Sequence, residues 1–494
     1  MDRSRRNILI VLGASVILGC LCISVLVASG AGLFLIARSS SAQSPQAIIS
    51  DPVPPLPTEP ITTQVTPAAR QTVETTPTEL AGLPGASTPT KSPQSQDLPQ
   101  EIATEMDEIE KQVMALRGLT SRGRVGRALL TPQELRQRVI DDFLDDYTAD
   151  EARDDALTLA AFGLLEPDFD LYNFYLELLS EQIAGFYDDE TKQMYVIQGE
   201  GFQGPERLTY AHEYTHALQD QNFDFKNGLG YTDEACEQDS ERCAAIQALL
   251  EGDASTLELE WFKNHASPQD IFEIQQFYNS YQSPIFNSAP AFLQEDFLFP
   301  YTYGQTFVQY LYDQGGWAAV DRVYQNLPLS TEQILHPERY PEDKPRSISL
   351  PDLTTSLPNG WREIDRGVMG EWYTYLILGF GLDPNARLEE APAQTASEGW
   401  GGDAYVVLHD EQTNEVAMIL TTIWESNADA AEFAAAFEEY ANTRFGHFDE
   451  KSGNRWMWES SGSVTILTLN ASNTRWVLAP NRDLAEKLIS LPGD

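Results

Sequence analysis

The chain runs to 494 residues, 42% of them hydrophobic and 10% aromatic, which suffices for a buried core and for more than one folded unit. Lys and Arg number 32 against 75 Asp and Glu, a net charge of −43. A surface of that sign repels phosphate backbones and anionic headgroups, so no nucleic acid is expected as a partner, and the acidity speaks to solubility rather than to chemistry.

In chain order, the first feature is an apolar run from Ile8 to Ile36 that carries no charge. It is long enough to span a bilayer and longer than the apolar core of a cleaved signal peptide. Arg3, Arg5 and Arg6 precede it and only Arg38 follows closely. Residues 1–38 are therefore expected to be a single-pass cell-membrane anchor, with the N-terminus cytoplasmic and the catalytic part extracytoplasmic. Gly19-Cys20 brushes against a lipoprotein-type cleavage site, but the apolar run continues past it. Residues 39–102 are rich in Pro, Thr, Ser and Gln and predict a disordered stalk, because they cannot bury enough surface to offset the entropy of ordering. Of four cysteines, Cys20 and Cys22 fall in the apolar run. Cys236 and Cys243 either close a small loop or stand as two thiols, and an oxidising location favours the bridge.

Residues 103–358 then predict a mainly helical unit. Thr131-Pro132-Gln133-Glu134 is a capping box with Pro at the first helical position, and Thr148 with Glu151 repeats the signal. A helix follows from about Asp170, and two short β-rich runs around a polar turn read as a hairpin over 186–197. Helices are predicted from about Glu206 to Gln221, Ala244 to Phe262, Gly304 to Asp313 and Trp317 to Asn326. Residues 359–494 change character, with strands at Ala404–Leu408, Glu415–Trp424, Arg455–Glu459 and Val464–Leu469 around a helix at Ala428–Tyr440. The fold class is thus α+β, a helical domain with a short edge-strand sheet followed by a smaller α+β domain.

The chemistry concentrates at His212-Glu213-Tyr214-Thr215-His216, in a chain with only six histidines. Two His four apart share one helical face, so both imidazoles reach one ion, while Glu213 reaches a water in the open position. That pattern makes Zn²⁺ the expected cofactor, His212 and His216 its ligands and Glu213 the general base. A third His in the compact H-E-x-x-H-x-x-G-x-x-H arrangement is excluded by Gln219 and Asn222. The remaining source is a carboxylate on a later helix. Glu251, in Ala248-Leu249-Leu250-Glu251-Gly252-Asp253-Ala254, is the third ligand expected, with Asp253 as runner-up, because an acid among apolar residues is costly to bury unless paired or metal-bound.

His212 to Asp220 resembles the zinc-binding helix of thermolysin-like gluzincins, which carry H-E-x-T-H-A-x-x-D, and Leu250–Ala254 resembles their Glu-bearing second helix. Ala184–Val196 and Thr331–Glu338 are similar to segments of uncharacterised bacterial membrane-anchored metallopeptidases. The likeness covers roughly residues 125–350. The aspartate that the family places four residues after its ligand Glu is Ser255 here, which leaves open what orients His212, and the gap from His216 to Glu251 is longer. The resemblance implies a zincin-type metallopeptidase domain, a peptide or protein substrate, and Met194–Ile197 as the edge strand that takes it. His336 and Tyr303 are candidate oxyanion donors, and Asp220 a candidate partner for a ligand His. Two other functions remain open: a catalytically silent protein that binds peptides, and a zinc amidase acting on cell-wall peptides.

Overall fold

The computed structural model describes residues 98–491, apart from 145–146, 198–200, 355–356, 358–359 and 461. The run at 8–36 and most of the stalk lie outside the described residues. Among those that are described, no helix is long and apolar enough to cross a membrane. The reason is charge: even the 26-residue helix Ser240–His265 carries Glu241, Arg242, Glu251, Asp253, Glu258, Glu260 and Lys263. The single-pass membrane protein of the sequence reading, and the extracytoplasmic location drawn from it, are corrected accordingly.

The first unit opens with α1 (Gln100–Arg117), which buries Met106, Ile109, Val113 and Arg117 at helical spacing. Strand β1 (Gly126–Leu130) leads into α2 (Pro132–Arg138), whose Thr131–Glu134 capping box is formed in both directions. Thr148 and Glu151 cap α3 (Ala149–Phe162) in the same way. After α4 (Leu171–Gln182) come β2 (Gly185–Asp188) and β3 (Gln193–Ile197), joined by a turn in which Asp188 accepts the Glu190 and Thr191 N–H groups. The hairpin is where the sequence put it, but its role differs. β3 pairs in parallel with β1 and antiparallel with β2, so Met194–Ile197 is the middle strand and β2 is an edge. Pairing across more than sixty residues of chain with the short β1 is what local patterning does not reveal.

Two long helices carry the site, α5 (Gly204–Phe223) and α7 (Ser240–His265), with the short α6 (Asp233–Gln238) between them. Cys236 and Cys243 form a disulfide across the α6–α7 turn. Next are α8 (Pro268–Ser280), α9 (Pro284–Ser288), α10 (Ala291–Gly315), α11 (Trp317–Val323) and α12 (Thr331–Leu335). α10 begins earlier than its sequence pattern suggests and carries Pro300 inside, the lost donor being tolerated in a helix packed along its length. Its Gly304 backbone lies directly on α7, where a Cβ at Gly252 would run into the Gly304 carbonyl and one at Gly304 into that of Ala248. Only glycines allow the two backbones to approach so closely.

The second unit is a seven-stranded antiparallel sheet in the order β4-β5-β6-β10-β9-β8-β7. Its strands are β4 (Trp361–Gly367), β5 (Trp400–Asp410), β6 (Glu415–Trp424), β7 (Glu450–Lys451), β8 (Arg455–Ser460), β9 (Ser463–Asn470) and β10 (Asn473–Ala479). Helices α13 (Gly370–Phe380), α14 (Glu390–Ser397), α15 (Asn427–Arg444) and α16 (Arg482–Ile489) accompany it. One face packs Val406, Leu408, Ile419 and Val477 against Leu484 and Leu488 of α16 and against Leu350 and Leu353. The other joins the core of the first unit: the Phe162 ring stands edge-on to Tyr405 and Trp476 at 5.4 and 5.6 Å. Arg444 completes the joint by donating to the Ala160, Ala161 and Phe162 carbonyls at the end of α3. The sequence boundary near residue 358 separates two folding patterns that share one core.

Candidate metal centre

α5 is buried along nearly its whole length from Leu208 to Asp220, and the spacing of its histidines brings both rings to the face that meets α7. His212, His216, Glu213 and Glu251 are all fully buried. Glu251 Oε2 lies 3.2 Å from His212 Nε2 and 3.4 Å from His216 Nε2, and the three potential ligand atoms fall within 4.8 Å of one another.

The outer nitrogens of the rings decide what the inner ones do. His212 Nδ1–H donates to Glu258 Oε2 at 2.9 Å, since a carboxylate only accepts. His216 Nδ1–H donates to Gln219 Oε1 at 2.9 Å, and the Gln219 amide is fixed in that sense because its Nε2 donates to the Leu250 carbonyl. In a neutral ring each Nε2 keeps a lone pair aimed at the Glu251 carboxylate, and in a protonated ring it donates there instead. Two imidazoles and one carboxylate converging in a dry interior are a donor set for Zn²⁺. Glu251 Oε1, His216 Nε2 and both oxygens of Glu213 have no hydrogen-bond partner. The residues fit the metal.

Electrostatics separate the two carboxylates. Burial pushes Glu251 up, but the charges and hydrogen bonds of His216 and His212 outweigh it and hold the carboxyl below its ordinary range. Burial raises Glu213 to about 7, with His212 and His216 pulling it down and Glu251 pushing it up. The Tyr187 main-chain N–H on β2 also pulls it down, although neither oxygen has a partner in full hydrogen-bond geometry. Gly185 brings β2 close at this point, for a Cβ there would press on Thr209 and on the Glu213 side chain.

The other sequence candidates fall elsewhere. Asp253 is no ligand: Arg117 binds it with Nε and Nη2 at 2.7 and 2.9 Å, and the Tyr324 hydroxyl donates at 2.7 Å. Asp220 serves Tyr187, Lys192 and the Phe225 N–H rather than a histidine. His336 donates to Glu371 at 2.8 Å, beside α12. The start of α12 contacts Glu241, ten residues or about 15 Å of helix before Glu251. Tyr303 packs on Phe299 and Trp372. Neither makes a hydrogen bond or ring contact with His212, Glu213, His216 or Glu251.

Two residues escaped the sequence reading. Glu258 lies seven positions after Glu251, two turns along the same face, and the only signal was an acid between Leu257 and Leu259. Tyr231, buried in the connection between α5 and α6, has its hydroxyl held well above the usual range by burial and then by the charge of Glu251. A second carboxylate group, Glu332, Asp343 and Glu425, already holds a cation of the chain itself, since Arg339 Nη1 stands 3.0, 3.8 and 3.3 Å from them.

Glu258→Gln removes the charge that fixes the His212 tautomer. It is expected to weaken zinc binding by about 10- to 100-fold, measured by competition with a chelator, and unchanged affinity would show that Glu258 does not hold the ligand.

Residues 357–488 match a family described as a domain of unknown function, DUF8575. That stretch is the sheet with its helices and contains none of His212, Glu213, His216 or Glu251. No curated protein and no solved structure matches the chain.

Proposed function

We propose that the chain is a zinc-dependent peptidase of the gluzincin type. The observation that carries this reading is the convergence of His212, His216 and Glu251, with an unpartnered, buried Glu213 alongside. When bound, zinc supplies Lewis acidity and a water of lowered pKa. Glu213, poised near neutrality, takes the proton of the attacking water and returns it to the leaving amine. Glu258 and Gln219 hold the Nδ1–H of each imidazole, the tautomer whose Nε2 can ligate a metal. An extended peptide suits β2, an outer strand of the described sheet that passes Glu213, because its backbone can add to a sheet edge.

Elemental analysis is expected to find about one zinc per chain, lost in Glu251→Ala and retained by wild type through dialysis. The zinc-loaded protein should cleave an unbiased peptide library. Zinc binding with no bond cleaved would leave a silent peptide-binding protein, and cleavage confined to cell-wall peptides would make it an amidase.

A further inference from the structure

His212, Glu213, His216 and Glu251 are all fully buried, yet a peptide bond must reach Glu213 and a metal ion must reach the histidines. Something over them has to move. The long helices are poor candidates, since α7 is seated on α10 through the Gly252–Gly304 contact and on α1 through the buried Arg117–Asp253 pair.

The connection of residues 224–232 between α5 and α6 is held differently. It leaves α5 two turns after His216 and returns Tyr231 toward Glu251, where burial and then the Glu251 charge raise the tyrosine hydroxyl. It turns through the left-handed region at Asp224, φ 56°, and again at Gly230, φ 63°. A non-glycine residue seldom holds that conformation unless its neighbours impose it. The middle of the connection rests on charge. Lys226 Nζ stands 2.8 Å from Glu190 and 3.9 Å from Asp189, both on the β2–β3 turn, and the lysine side chain is 45% exposed. Lys192, on the same turn, pairs at 2.5 Å with Asp220 near the end of α5. That hairpin lies against Glu213 through Gly185, so the two lysines tie the segment that reaches Glu213 to the one that reaches Glu251.

We propose that residues 224–232 form a strap over the metal centre, latched shut by Lys226 on Asp189 and Glu190 and opened when those ion pairs part. Asp220 holds the near end by accepting the Phe225 N–H, and the Cys236–Cys243 bridge holds the far end to α7, so the strap swings between fixed points. Exposed ion pairs are weak singly and yield to salt, which suits a contact that must break each time a substrate enters. Access motions belong to such weakly held segments over a rigid core. The latch rests on the peptidase reading for its purpose, although its test needs neither metal nor peptide.

The test is acylation of the histidines by diethyl pyrocarbonate in the metal-free full chain, followed residue by residue by mass spectrometry. His265 and His447 are exposed and serve as references. In wild type, His212 and His216 are expected to react at least about 10-fold more slowly than these two. Lys226→Glu sets a third carboxylate against Asp189 and Glu190. It should speed both site histidines by about 3- to 10-fold, with the references and the circular dichroism spectrum unchanged. Adding Glu190→Lys re-forms the ion pair in the opposite sense and should restore the slow rate. Site histidines as reactive as His265 in wild type would overturn the proposal, and so would an unchanged rate in Lys226→Glu. Fast reaction that Glu190→Lys does not correct would overturn it as well, because it marks general loosening instead of a latch.

Discussion

Glu213→Gln is expected to keep the fold and the zinc while hydrolysis falls by about 10²–10⁴-fold. The substitution preserves the shape of a fully buried side chain and removes its ability to take a proton. Zinc retention is expected because Glu213 is not among the three converging ligand atoms. The measurement pairs metal content with turnover of the best library peptide in both proteins. Wild-type turnover in the Gln variant would reject Glu213 as the base, and loss of zinc would make it a ligand instead.

Arg117→Met should destabilise the protein by about 3–5 kcal/mol, read from urea unfolding. Arg117 and Asp253 are both fully buried and joined by two hydrogen bonds, and the guanidinium also lies 2.8 Å from Asp321 and 4.4 Å from the centre of the Trp317 ring. Removing the cation strands Asp253 in the core, two residues from Glu251. A companion Arg117→Met/Asp253→Leu protein should recover much of the loss, since what costs most is the unpaired charge rather than the absent pair. A single variant that loses less than about 1 kcal/mol would show that the pair is not what holds α1 to α7.

What was legible in the sequence is what lies close together in it. His212, Glu213 and His216 occupy little more than one turn, and helix periodicity alone puts both rings on one side. Glu251 could be found because an acid between Leu250 and Gly252 in an apolar helix needs a reason to be there. The capping boxes at Thr131 and Thr148 formed as their spacing predicts. Distance in sequence hid the rest. Asp253 looks as eligible as Glu251 until Arg117, from 136 residues away, is seen to claim it. Met194–Ile197 reads as an edge until β1 arrives on its far side. His336 pairs with Glu371, a residue of the second folding pattern that no local signal links to it. β4 and β10 went unread because Trp361–Gly367 and Asn473–Ala479 mix charge and polarity into strands paired on both sides or at the rim.

The Phe162 ring wedged against Tyr405 and Trp476, with Arg444 clasping the end of α3, has a consequence for how this molecule could have been assembled. A C-terminal portion that hung on a linker could be lost, duplicated or exchanged between lineages with little harm to the remainder. Here recombination at residue 358 would strip an aromatic seam from both fragments and leave three backbone carbonyls without their guanidinium. Each part therefore depends on the other for its packing along this seam.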